Sequence, residues 1–525
     1  MPNSTGGLTA QELGKKQKEI SISEFFLKNR HLLGFDNPIR ALMMTVKEAV
    51  DNSLDACNEA RILPEILVEI KEINGERFKV IVEDNGPGIV KEQIPRIFAK
   101  LLYGSKFHSL KQNRGQQGIG ISASVLYSQL TTGKPSIIIS KISPKKPAHY
   151  YELGIDTKKN EPDVIKDNIV DWQKDHGTKI ELELEAKYQK GKQSVDEYIK
   201  QTAIVNPEAH IIYKGPDNEK VEYPRAINQL IKEAKEIKPH PYGVELGNFI
   251  KMLHETKSRT LQAFLTTEFS RIGPGTAKEM CSKAGLDSNK RPSELNHEET
   301  EGFFKAMQGV KVIAPPTDCL SPIGENILEK GLRKEIPAEF YVATTRTPVV
   351  YRGFPFQIEA AIAYGGELEK ENSIRLMRFA NRVPLLYQHG ACAITSAVSE
   401  TNWKPYGLNQ SGDNMPQGPV VILVHMASVW VPFTSEAKEA IAHYPDIIKE
   451  IKLALQDCGR KLSSYINKRD KAKQQKDRIN LFEKYIPELA SSLSNLSNDK
   501  KQDIEDKLKS KLNRSAKNIL NQGEA

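Results

Sequence analysis

Cysteine is scarce in this 525-residue chain: only Cys57, Cys281, Cys319, Cys392 and Cys458, all far apart in sequence. That scatter excludes a disulfide framework and a Cys-x-x-Cys zinc site, and it points to a reducing cytoplasm. Long apolar runs are missing as well. The longest, Pro419 to Phe433, is broken by His425 and too short to cross a bilayer, so it reads as a buried strand and no membrane partner is expected. The N-terminus is polar and carries no secretion signal. No Gly-x-x-x-x-Gly-Lys-Ser/Thr block occurs, which removes the commonest design for gripping nucleotide phosphates. Neither charge sign dominates. The 75 Lys+Arg against 67 Asp+Glu leave a net charge of +8, compatible with a nucleic-acid partner without requiring one.

What is present is more specific. The length implies about three or four domains. Four blocks stand out: Glu48-Ala-Val-Asp-Asn52-Ser-Leu-Asp-Ala56, Asp84-Asn-Gly-Pro-Gly88, Gly115-Gln-Gln-Gly118-Ile-Gly120, and Gly177-Thr178. Glu48 and Asn52 are i, i+4 on an apolar-periodic helix, so their side chains point the same way. Asp84 follows the strand-like run Phe78 to Glu83 and opens a glycine-rich turn. Glycines at 115, 118 and 120 let backbone N–H groups approach phosphate oxygens without an intervening Cβ. Further on, Pro432-Phe433-Thr434-Ser435 reads as the entrance to a long helix running to about residue 470, with Ser435 as its N-cap. Lys438 then falls in the first helical turn, where a cation is electrostatically misplaced unless it faces a phosphate.

In this order the four blocks resemble the GHKL ATPases, the group that includes gyrase B-type subunits, heat-shock chaperones, histidine kinases and MutL. The resemblance implies ATP and Mg2+ as cofactors. It casts Glu48 as the base that polarises the attacking water, Asn52 as the protein ligand to Mg2+, and Asp84 as the acceptor for the adenine amine, with Gly88 beside it and Thr178 supporting the base. Gly115, Gln116, Gln117, Gly118, Ile119, Gly120, Ile121 and Ser122 would wrap the phosphates, with Ser105 and Lys106 in the lid before them. Lys438 resembles the switch lysine with which the transducer of the gyrase and MutL branches reaches the γ-phosphate, which makes it the second catalytic candidate beside Glu48.

The order of segments narrows the resemblance to the B subunits of type IIB DNA topoisomerases, as do Phe379-Ala-Asn-Arg-Val-Pro-Leu-Leu386 and Ala314-Pro-Pro-Thr-Asp-Cys-Leu-Ser-Pro-Ile-Gly324. The implied fold class is α+β, laid out in five parts. An N-terminal strap (1–30) precedes a GHKL (Bergerat) α/β sandwich (31–235). A small helix–two-turns–helix domain (236–310) follows, then an α/β transducer with a long C-terminal helix (311–470) and a basic helical tail (471–525). Strands are expected at 65–73, 79–83, 136–142, 179–185, 339–345, 347–351, 356–364, 375–381 and 420–430. No Glu-Gly-Asp-Ser-Ala block with a following Asp-x-Asp is present, so DNA cutting is expected on a separate A subunit within an A2B2 heterotetramer, with the B subunits dimerising on ATP.

Duplex DNA is the other implied partner. Trp403-Lys404-Pro-Tyr406 sets two rings around a lysine in a polar loop and resembles a DNA-contact loop of the family. Lys190, Lys192 and Arg271 are further DNA candidates. Other GHKL readings fit less well. The lid Leu102-Tyr-Gly-Ser-Lys-Phe-His lacks the Gly-Phe-Arg-Gly-Glu-Ala-Leu of MutL-type clamps, and residues 1–30 are too short for a histidine kinase's dimerisation helix. A chaperone would not need Lys438, and a non-enzymatic ATP-sensing scaffold would share the same pocket.

Overall fold

The computed structural model describes residues 10–15, 17, 20–104, 109–115, 118–369, 374–497 and 499–521. Two short helices, α1 (Ala10–Lys15) and α2 (Ile22–Lys28), precede the central helix α3 (Pro38–Glu59). Asn37 caps α3 by accepting the Arg40 amide at 2.9 Å, and Pro38 sits in the first turn, where its missing N–H is no loss. Then follow β1 (Glu65–Asn74), β2 (Arg77–Asp84), α4 (Ile94–Ala99), α5 (Gly120–Thr132), β3 (Ser136–Lys141), β4 (Ala148–Asp156), β5 (Glu161–Val170), β6 (Gly177–Glu185), α6 (Val195–Val205), β7 (His210–Lys214) and β8 (Lys220–Tyr223).

These strands form one eight-stranded sheet, ordered β5-β4-β3-β6-β2-β1-β7-β8, antiparallel except for the β1/β7 pair. Alternation decides its faces. Ile66, Val68 and Ile70 of β1, Val80 and Val82 of β2, and Ile180 and Leu182 of β6 point inward under α3 and α5. Their neighbours Lys79 and Glu181 pair at 3.8 Å on the outer face. The result is the expected two-layer sandwich. Strands β4, β5, β7 and β8 lay outside the expected set. β5 is exposed nearly throughout, so it has no apolar alternation to read. Helix α2 lies on its own sandwich: Ser21 caps it by accepting the Glu24 amide, and its hydroxyl donates to the Thr157 carbonyl at 2.5 Å.

Helices α7 (Leu246–Glu255), α8 (Leu261–Glu268), α9 (Pro274–Lys283) and α10 (His297–Gly309) make the expected helical unit. Their core is aromatic, with Phe249 edge-on to Phe264 and Phe303 at 5.8 and 5.6 Å.

Beyond it come α11 (Glu325–Glu335), β9 (Phe340–Thr345), β10 (Val349–Tyr351), β11 (Phe354–Tyr364), β12 (Arg375–Ala380), β13 (Val383–Pro384), α12 (Ala393–Ser399), β14 (Val420–Ser428), α13 (Pro445–Ser497) and α14 (Lys501–Asn521). β14 lies between β11 and β12 in the second sheet, so both of its faces are buried and its sequence is apolar throughout. Helices α12 and α13 cover one face. The other face receives α11 and the end of α6, where Ile204 and Val205 join the second core. At that seam a Cβ on Gly331 of α11 would lie 2.3 Å from the Ile204 carbonyl oxygen, so glycine allows the two units to meet.

Two expectations are corrected here. The long helix starts at Pro445, not near Ser435, and continues to Ser497, past residue 470. Residues 432–442 instead form a hairpin: Thr434 N–H donates to Ala440 O at 2.9 Å, and Ala442 N–H to Pro432 O at 2.8 Å. Burial of Ala437, Ala440 and Ile441 outweighs the helical preference of Ser-Glu-Ala-Lys-Glu-Ala. Ser435 is therefore not an N-cap, and Lys438 stands at the hairpin tip rather than in a helix, with φ +55°. Among the described residues no helix is long and apolar enough to cross a membrane.

Candidate functional site

Helix α3 lies with its Glu48–Asn52 face toward the glycine-rich segment that leads into α5. The gap between them is a cavity of about 600 Å³. Glu48, Asn52, Asp84, Gly88, Gly115, Gly118, Ile119, Gly120, Ile121, Thr178 and Lys438 all line it. Eleven of the residues picked from sequence thus converge on one space. Four others (Ser105, Lys106, Gln116 and Gln117) lie outside the described residues. Ser122 departs from the expectation: it is buried and its hydroxyl donates to the Ile119 carbonyl at 3.0 Å, so it is spent on its own helix end.

One end of the cavity is built around Asp84. Its carboxylate accepts from the Ser53 hydroxyl at 2.9 Å, the Gly86 amide at 2.8 Å and the Thr178 amide at 3.0 Å. Burial pushes its pKa up, and the three donors with Lys174 only partly offset that. Thr178 Oγ1 in turn meets Ser140 Oγ at 3.1 Å. Two glycines are required by close approach: a Cβ on Gly88 would lie 2.0 Å from Lys141 O, and one on Gly177 2.2 Å from Asp84 O. Ser53 was not singled out from sequence, although its i+1 place after Asn52 is where a second α3 face meets the β2 end.

The opposite end holds the charges. Glu48 is paired with Lys47 at 3.0 Å, and Lys47 also meets Asp51 at 3.2 Å. A Cβ on Gly120 would fall 1.7 Å from Glu48 Oε2, so the glycine makes room for the carboxylate. Burial raises the Glu48 pKa, but Lys47 and Lys438 outweigh it and hold the carboxyl below its usual range. Lys438 is itself buried, which pulls its ammonium pKa down against the opposing charge of Glu48. Its Nζ donates to the Arg114 carbonyl at 3.1 Å. Asp55, one turn beyond Asn52, pairs with the Arg114 guanidinium at 2.8 Å and accepts the Arg114 and Gly115 amides at 3.3 Å.

The same segment is tied at two more points, to the loop before α11 and to the second sheet. Gln112 exchanges hydrogen bonds with the Ser321 backbone at 3.0 and 2.8 Å. Asn381, in the β12–β13 turn, donates to Asn113 O at 3.1 Å and to Ser428 O at 2.9 Å. Beside Lys438, Glu439 pairs with Arg40 of α3. Arg114, Asn381 and Glu439 escaped the sequence reading because each gains its role only from a partner distant in the chain; Lys47 was passed over although its partners, Glu48 and Asp51, are its neighbours on α3.

Among the described residues no group of three His, Cys, Asp or Glu side chains could hold a metal alone. The donor set here is the amide oxygen of Asn52 on the cavity wall. That suits a hard cation which takes its other ligands from phosphate and water.

The DNA candidates are scattered. Trp403 is a correction: its ring is fully buried between α12 and α13, and its Nε1 donates to Val398 O at 2.8 Å, so it cannot stack on a base. The polar neighbours that suggested a surface loop stay outside while the ring goes in. Tyr406 packs against Gly459 of α13, and Lys404 is exposed. Lys190 is exposed but paired with Asp217 at 2.9 Å and Glu219 at 2.8 Å. Lys192 and Arg271 are exposed on different units.

Comparison with known proteins agrees with this layout. Residues 37–188 match the family model described as "Histidine kinase-, DNA gyrase B-, and HSP90-like ATPase". Residues 315–478 match "Topoisomerase VI B subunit, transducer". The chain is 55% identical over 486 residues to the B subunit of type 2 DNA topoisomerase 6 from Methanococcoides burtonii, covering 92% of this chain and 78% of that one. Its counterpart from Methanosarcina mazei is 54% identical, covering 93% and 79%. That of Archaeoglobus fulgidus is 47% identical, covering 91% and 79%.

Proposed function

Because the chain belongs to the family of type 2 DNA topoisomerase 6 B subunits, and so is the ATPase-bearing subunit of an ATP-dependent type II DNA topoisomerase, we propose that it couples ATP turnover in this cavity to passage of one duplex through another. The observation that carries the reading is the position of Lys438. Its ammonium, from the second sheet's hairpin, is buried in the same cavity as Glu48 and Asn52.

In this reading the adenine amine donates to the buried Asp84 carboxylate, and Thr178 supports the base. Backbone N–H groups from Gly115 to Gly120 face the phosphates. Asn52 would hold Mg2+, which would supply positive charge to offset that of the phosphates. Glu48, held ionised, accepts the proton of the attacking water. Lys438 gives the second sheet a contact with the γ-phosphate that ADP cannot offer. That differential contact is what allows hydrolysis to shift the angle between the two units. ATP binding also closes two copies of this chain on one another through the N-terminal strap.

DNA cleavage belongs to a separate A subunit in an A2B2 assembly within the cytoplasm. The surface available for it is the end of α13. Leu481, Tyr485, Leu489, Leu493 and Leu496 form an exposed apolar stripe there, while Ile486 and Ala490 turn inward. DNA is held by exposed cations such as Lys192, Arg271 and Lys404, without base contacts and with a steep loss of affinity in salt.

The test measures ATP hydrolysis with and without duplex DNA, and supercoil relaxation with and without the A subunit. DNA is expected to stimulate hydrolysis, and relaxation is expected only when the two chains are combined. Relaxation by this chain alone would sink the reading. Separately, Tyr485→Glu combined with Leu489→Glu is expected to abolish co-elution with the A subunit while leaving ATP binding intact. Undiminished co-elution would show that the stripe is not the docking surface.

A further inference from the structure

Behind the cavity wall, next to Glu48, lies a buried cation that the proposed cycle does not use. Lys47 is 3% exposed, yet it lies immediately before the proposed base on a helix that is buried along most of its length. Its Nζ is 3.0 Å from Glu48 Oε1 and 3.2 Å from Asp51 Oδ2. Asp51 is in turn held by the Tyr198 hydroxyl of α6, which donates to its Oδ1 at 2.9 Å. Tyr198 is fully buried and its hydroxyl also reaches Lys47 O, at 3.4 Å.

A lone buried ammonium is costly, and so is a lone buried carboxylate. The charges here balance only as a set. Glu48, Asp51 and Asp55 of α3 are three carboxyl groups, with burial pushing that of Asp51 up, and they face three cations, Lys47, Lys438 from the hairpin and Arg114 just before Gly115. Of the three cations, Lys438 is the one the proposed cycle reassigns to the γ-phosphate, and Arg114 is already committed to Asp55. Lys47 alone stays with Glu48 throughout.

We propose that Lys47 is a positioning residue for the hydrolytic step: anchored by Asp51 and Tyr198, it aims the Glu48 carboxylate into the cavity and keeps it ionised when Lys438 turns to the nucleotide. This rests on the reading of Glu48 as the base. The anchoring order also explains why both Asp51 and Tyr198 are buried without touching the cavity. Both are bonded to Lys47 and to one another.

The test is the pH dependence of steady-state ATP hydrolysis by the full chain, in the presence of duplex DNA and the A subunit. Lys47→Met is expected to lower kcat near neutral pH by about 10- to 100-fold, part of the 10²- to 10⁴-fold effect of a positioned base, with the KM for ATP nearly unchanged. The acid limb of the profile is expected to move to higher pH, because Glu48 then loses the ammonium 3.0 Å from its carboxylate and protonates more readily. Lys47→Arg, which retains the charge, is expected to restore both kcat and the limb. Should Lys47→Met fail to fold, Lys47→Gln carries the same expectation, since it keeps a donor but no charge. An acid limb at the wild-type position in the uncharged variant overturns the proposal, as does a displaced limb in Lys47→Arg. Glu48→Gln is the control: if it turns over normally, the assignment of the base has failed, not that of Lys47 alone.

Discussion

Replacing Glu48 by glutamine is expected to cut ATP hydrolysis by about 10²- to 10⁴-fold, while ATP-driven dimerisation of the chain persists. The substitution keeps the side chain's size next to Gly120, where a Cβ would lie 1.7 Å from the carboxylate, so the cavity's shape is retained. It removes the proton acceptor and also the partner of Lys47 and Lys438. Binding should survive because Asp84, the proposed adenine acceptor, and the glycine-rich segment are untouched. Asn52→Ala should behave differently. It takes away the one protein oxygen proposed for Mg2+, so nucleotide-dependent dimerisation and turnover should fall together. Phosphate release and crosslinking of paired chains with a non-hydrolysable ATP analogue separate the two outcomes. Normal turnover by the glutamine variant would remove Glu48 from the mechanism. Since Lys47 and Lys438 hold the Glu48 carboxyl below its usual range, the wild-type base stays ionised at neutral pH. Activity should be lost only on the acid side, as pH falls through that lowered value.

Lys438→Ala is expected to leave ATP affinity nearly unchanged and to lower strand passage per ATP hydrolysed by about 5- to 150-fold, the span of a typical coupling free energy. The lysine is the only proposed nucleotide contact from the second sheet, and its Nζ already reaches across to the Arg114 carbonyl at 3.1 Å. Its backbone is in the left-handed region, φ +55°, a conformation that a non-glycine residue holds only when its surroundings require it. Here those surroundings are the hairpin hydrogen bonds and the Glu439–Arg40 pair. Removing the ammonium leaves that scaffold in place, so the defect should appear in coupling rather than folding. The measurement is the ratio of relaxed plasmid to phosphate released. An unchanged ratio would show that the other ties between the units, among them Asn381 to Asn113, Gln112 to Ser321 and Glu439 to Arg40, suffice without the ammonium.

Much of the architecture was legible in the chain because its signals are local. The alternation in Glu65–Asn74 and Arg77–Asp84 and the apolar run of Val420–Ser428 each place a strand without outside help. Of the four helices between Leu246 and Gly309, α8 is capped by Thr260 and α10 by the Asn296–Glu299 capping box, both local signals. β5 was not legible, since an exposed edge strand needs no apolar pattern. Trp403 misled for the opposite reason: its neighbours are polar, and only the packing of α12 against α13 shows that the ring turns inward.

From the order of residues alone came the pairing of Glu48 with Asn52 on one helical face, the glycines that a Cβ would block, and the ancestry of both sheets. These rest on spacing and on the absence of a side chain, which are properties of the covalent chain. The meeting of Lys438 with Glu48 rests on folding, because a hairpin buried by Ala440 and Ile441 overrides a helix-forming stretch and carries the ammonium to its site. The charge balance of Lys47, Asp51, Tyr198 and Arg114 is likewise tertiary. A buried ion acquires its protonation state and its aim from neighbours that the backbone brings together from distant positions.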